Sequence, residues 1–146
     1  MNNKNHAERI YHEWDRTWAN HDLEAFLALY AEDAIVESPV IQHVMGGESG
    51  ICKGKEALRH VVPTIRARTP THIRGFYRTG YFSNDHQVIW EYPRLTPHGE
   101  QMDFVEVLDL NEEGLICYHR IYWGWRGVKI LQDDEYHHTE KSNVPR

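Results

Sequence analysis

Apolar positions recur with helical spacing along the first twenty residues. Ile10, Trp14 and Trp18 stand at i, i+4 and i+8, with Ala7 and Tyr11 beside them. That stripe predicts a helix over about residues 6–20 with one face buried. Asn20-His21 breaks the pattern, and Asp22 follows as an N-cap for a second helix that turns Leu23, Phe26, Leu27 and Tyr30 inward. So short a connection makes the two a helical hairpin. The β-branched content then rises over residues 34–40, where Pro39 closes a short strand, and IQHVMGGESG with its glycines reads as a loop. A third helix is expected from Lys55, carrying Leu58, Val61, Val62 and Ile65, with Pro63 predicting a kink or an early end.

Beyond about Thr71 the period changes from that of a helix to that of a strand. HIRGFYRTGYFS, QVIWEYPRL, EQMDFVEVLDL and LICYHRIYWGW are separated by the turn signals Ser83-Asn84-Asp85, Pro97-His98-Gly99 and Asn111–Gly114. The order helix, helix, strand, helix and then a meander of strands implies an α+β domain with helices on one face of an antiparallel sheet. One domain is expected over residues 1–133, followed by a flexible polar tail over 134–146. On QVIWEYPRL one alternation turns His86, Val88 and Trp90 inward, whereas the other turns Glu91 inward.

Two rows in the last hairpin are each interrupted once. Met102, Phe104, Leu108 and Leu110 share a face with Glu106, and Leu115, Cys117, Ile121, Trp123 and Trp125 share one with His119. A symmetric turn at Asn111–Gly114 sets Glu106 directly opposite His119, while a bulge at Gly114 shifts the pairing by one. A carboxylate on an apolar face needs a partner, and an imidazole at cross-strand distance supplies one. Such a pair suits acid/base catalysis, and equally a structural contact that fixes register.

Composition narrows the classes. The chain of 146 residues holds 40% apolar residues and 17 aromatics, five of them Trp, enough for one core and for the wall of a ligand cavity. A formal net charge of -6 opposes nucleic-acid binding. No apolar run spans a membrane, the polar start lacks a signal peptide, and Cys52 and Cys117 form no framework, so a cytoplasmic setting is expected. The 11 His show no metal-binding spacing, and neither a metal nor another cofactor is expected. His43 falls in the loop and His137-His138 in the tail.

The run WDRTWANHDLEAFLALYAEDAIVESPV, the later GKEALR and the closing GLICYHRIY resemble the nuclear-transport-factor-2-like superfamily, within it the SnoaL-like polyketide cyclases and steroid Δ-isomerases. The resemblance implies a cone-shaped barrel in which one curved, mainly antiparallel sheet wraps three N-terminal helices around an internal pocket, often dimerising through the sheet. The isomerases' general-base Asp falls on Ser38, and either Ser38 or Glu37 points inward. Their oxyanion Tyr falls on Trp14, and their second oxyanion group on Glu106. His119 and Trp123 take apolar pocket positions, and Tyr30 a pocket aromatic. The expected function is therefore cofactor-free isomerisation, cyclisation or dehydration of a hydrophobic carbonyl compound. His119 would act as general base or acid, oriented by Glu106, with Trp14 donating to an oxyanion and Tyr30, Ser38, Trp90 and Trp123 binding substrate. The alternatives are a non-catalytic binder of an apolar small molecule and a structural small subunit of a larger enzyme.

Overall fold

A computed structural model describes residues 3–71, 73–74, 80–134 and 136. Helix α1 (Asn3–Ala19) buries Ala7, Ile10, Trp14 and Thr17 along one stripe. Asp22 caps α2 (Leu23–Leu27) by accepting from the Ala25 N–H at 3.2 Å. The second helix is shorter than its apolar spacing suggests. Tyr30 lies beyond it, as the first residue of β1 (Tyr30–Glu37), because the β-branched run and parallel pairing to the last strand capture the chain there.

The glycine-containing segment after β1 is also more ordered than its composition suggests. It holds α3 (Pro39–Met45) and β2 (Ile51–Lys53). Pro39 opens α3 rather than closing a strand: its missing N–H is no loss at the first helical position, and Ser38 supplies the N-cap. Gly46 ends the helix with φ 69°. Helix α4 (Lys55–Arg68) runs through Pro63 without ending early. Pro63 is exposed, so the carbonyl its ring deprives of a partner lies on the solvent side, while Leu58, Val61 and Val62 are buried on the other.

Strands β3 (Ile73–Arg74) and β4 (Phe82–Ser83) flank β5 (Gln87–Leu95), followed by β6 (Gln101–Leu110) and β7 (Ile116–Trp123). The expected strand HIRGFYRTGYFS lies partly outside the described residues. The sheet order is β2-β1-β7-β6-β5-β3, with β4 also paired to β5. All described pairings are antiparallel except β1 with β7. Helix α5 (Trp125–Gln132), which strand periodicity concealed, buries Ile130 and Leu131. Tyr136, at the edge of the expected tail, is buried with its hydroxyl 2.9 Å from Met102 Sδ.

Even-numbered β5 residues face the core, so Trp90 is buried and Glu91 is not. On β6 the even row is also interior, as its alternation implied. The β6–β7 register differs from the symmetric expectation. Asp109 pairs with Tyr118 but Leu110 with Ile116, which leaves Cys117 as a bulge. His119 therefore lies opposite Leu108, and Glu106 opposite Ile121. The bulge also exchanges faces: Ile116 is fully buried where Leu115 and Cys117 were expected, and Trp125, now on a helix, is 77% exposed.

Candidate active site

A cavity of about 90 Å³ opens between the sheet and the helices. Trp14, Tyr30, Ser38, Trp123, Glu106 and His119 all line it, as do Tyr92, Arg94, Thr71 and Tyr136. Trp90 does not. It packs behind the wall, edge-on to Trp14 and Tyr11 with centroids 5.5 Å away in each case. The expected substrate contact gives way to core packing against two rings of α1.

Glu106 and His119 are each 1% exposed and joined, with 2.6 Å between Glu106 Oε2 and His119 Nε2. Their side chains meet diagonally across the strands despite the shifted register. Tyr30 Oη lies 2.9 Å from His119 Nδ1, and the Trp14 indole N–H donates to Tyr30 Oη at 3.1 Å. Tyr92 donates to Glu106 Oε1 at 2.5 Å, and Arg94 Nε donates to Tyr92 Oη at 3.4 Å.

Trp14 can only donate, and within this chain of bonds His119 Nδ1 is the acceptor available to the buried Tyr30 hydrogen. Tyr30 accepts from Trp14 and gives its own proton to His119 Nδ1. In that tautomer the imidazole carries its proton on Nε2 and donates to Glu106, so two donors converge on one carboxyl group. Protonating His119 at Nδ1 as well would turn its bond to Tyr30 around and leave the Tyr30 hydroxyl hydrogen without this acceptor. Burial pushes the Tyr30 hydroxyl well above the usual phenol range, so it stays protonated.

Two expected roles change with this geometry. The Trp14 N–H is engaged by Tyr30 and is not presented to an oxyanion. Both nitrogens of His119 are also engaged, so the lone pairs left over belong to Glu106. Ser38, not Glu37, turns inward, yet its hydroxyl is committed to structure. Oγ accepts from the Val40 N–H at 3.3 Å and from Trp123 Nε1 at 3.2 Å. His43 sits on α3, 3.5 Å from Asp134, and not in the cavity.

Sequence reasoning missed Tyr92 and Arg94. The alternation that selected Trp90 carries both inward as well, and that was the available signal. Arg94 is 8% exposed, and an Arg so deep in a row of aromatics is outside what alternation alone would place there. Among the described residues, no three His, Cys, Asp or Glu side chains gather as metal ligands. No helix there is long and apolar enough to cross a membrane.

The SnoaL-like domain matches residues 11–119, most of the chain. This protein belongs to the SnoaL-like domain family. No curated protein sequence matches it. Among solved structures, a computationally designed 17-OHP binder is 25% identical, with TM-score 0.65, covering 84% of this chain and 95% of its own. RV0760c from Mycobacterium tuberculosis, in complex with estradiol-17beta-hemisuccinate, is 23% identical with TM-score 0.62, covering 84% and 96%. A SnoaL-like protein of unknown function from Burkholderia thailandensis is 22% identical with TM-score 0.65, covering 82% and 94%. These likenesses establish the cone-shaped SnoaL-like fold.

Proposed function

We propose that this SnoaL-like domain performs cofactor-free acid/base chemistry on a hydrophobic carbonyl compound: isomerisation, cyclisation or dehydration. The observation that carries the reading is the buried Glu106–His119 pair on the wall of an aromatic cavity. Glu106 takes the role of proton acceptor. It is the member of the pair with lone pairs to spare, and His119 positions it through Nε2. Tyr92, hydrogen-bonded to Glu106, would give its proton to the substrate oxygen and take back the one Glu106 has gained. General acid–base help of this kind contributes on the order of 10²–10⁴ in rate.

Proton abstraction beside a carbonyl is measurable before the natural substrate is known. Solvent deuterium uptake at the α-carbon of 2-tetralone and 1-indanone, followed by proton NMR, is expected to be accelerated by the wild-type protein. Glu106→Gln should lower that rate by about 10²-fold or more, and His119→Ala by less, since His119 acts through Glu106. Equal rates for wild type and Glu106→Gln, both folded, would sink the mechanism.

Non-catalytic binding is the second reading. It is favoured by the way the network satisfies its own donors and by two fold relatives whose names state a steroid ligand or 17-OHP binding. Under it, a ketone binds with measurable heat but exchanges no faster than in buffer. A homodimer is part of the proposal in either case, and sedimentation velocity of the purified chain checks it.

A further inference from the structure

Arg94 brings a full positive charge to the cavity wall, and no carboxylate among the described residues lies within ion-pair distance of it. The residue is 8% exposed. Nε donates to Tyr92 Oη at 3.4 Å and Nη1 to Thr71 Oγ1 at 3.0 Å. Nη2 has no partner among the described residues. The guanidinium is framed by rings, its carbon 5.3 Å from the Trp18 centroid, 5.5 Å from Tyr92 and 6.0 Å from Phe104. Those contacts fix the plane of the fork without neutralising it.

Burying a cation with no carboxylate partner among the described residues is costly, and Tyr92 stands between Arg94 and Glu106. Arg66 adds a second guanidinium over the same Trp18 ring at 4.5 Å. Both guanidiniums thus lie against the Trp18 ring, and Arg94 is the one that lines the cavity. The Thr71 hydroxyl accepts from Arg94 and still has its own proton to give.

We propose that the cavity selects a ligand bearing a carboxylate, held by Arg94 through Nη2 and by the Thr71 hydroxyl. Its apolar body lies along Trp18 and Phe104, and its reactive carbon reaches toward Glu106. The inference rests on the cavity being a ligand site, as proposed above, and it names the ligand class as a small apolar acid.

Isothermal titration calorimetry of the full chain with trans-cinnamate and trans-cinnamamide tests it, because the two probes share a shape and differ in charge. The wild-type protein should bind the acid about 10-fold or more tighter than the amide, the scale of one charge-assisted hydrogen bond. In Arg94→Met that preference should vanish while the amide affinity holds. Arg94→Lys should retain part of it, since an ammonium keeps the charge but lacks the fork. Equal affinities in wild type, or an acid preference that survives in Arg94→Met, overturn the inference and leave the cavity as a ligand site. Binding of neither probe by the wild type overturns the inference and counts against the cavity reading as well. The wild-type comparison needs no variant to fold.

Discussion

Glu106 is where the buried hydrogen bonds of the cavity wall converge. Its two oxygens receive His119 and Tyr92, and each donor is itself held from behind, His119 by Tyr30 and Tyr92 by Arg94. Removing one donor leaves a buried carboxyl group under-solvated, which costs more than the bond's net worth. Tyr92→Phe should lower the unfolding free energy by about 1–3 kcal/mol, read from urea denaturation. Val88→Ala would cost a comparable amount by a different route, as a cavity in the apolar layer.

At the scale of elements, the Ser38 turn joins β1 to α3 and sets one wall of the cavity. Gly50 presses against it: the Ser38 N–H donates to the Gly50 carbonyl at 2.8 Å, and a Cβ on Gly50 would lie 2.5 Å from the Ser38 carbonyl oxygen. Backbone cannot give way as a flexible side chain does. Gly50→Ala should therefore destabilise by about 1–3 kcal/mol through overpacking, visible as a lower thermal midpoint. Trp125→Ala should change stability by less than about 0.5 kcal/mol, since the ring is 77% exposed on α5. The strand alternation that would have buried it ends at Trp123. These two elements were hidden for opposite reasons. Ser-Pro in VESPV reads as a strand end until its hydroxyl is seen capping Val40, and the aromatic run YWGW continues a strand pattern across a helix start at Gly124.

Across the whole molecule, one charge cluster ties three strands together on the outer side of the sheet. Asp109 on β6 receives Arg120 of β7 at 2.9 and 3.0 Å and Gln87 of β5 at 2.8 Å. The Arg120 guanidinium hydrogen-bonded to Asp109 holds its carboxyl below the usual aspartate range. A carboxyl lowered by folding stabilises the native state above its unfolded pKa of ~3.9, and that contribution is lost as pH falls through the lower native value. Asp109→Asn should therefore be less stable than wild type at neutral pH. Its stability should also fall less steeply below about pH 4, as followed by acid titration of the circular dichroism signal.

The sequence alone determined the α+β class, the SnoaL-like resemblance, the inward rows of β5 and β6 and the two ionisable residues that interrupt the last hairpin. Each of these follows from a local period, or from a residue type whose burial is costly enough to stand out. Tertiary structure decided the rest. The Cys117 bulge moved His119 opposite Leu108, and only packing shows that Glu106 still reaches it. Whether Trp90 faced a ligand or another tryptophan depended on where α1 settled. The start of the chain of bonds depended on Trp14, 92 residues before Glu106 in sequence, lying against Tyr30. Alternation tells which face a side chain takes. It does not tell what waits on that face, because the partners come from distant segments that only the closed fold brings together.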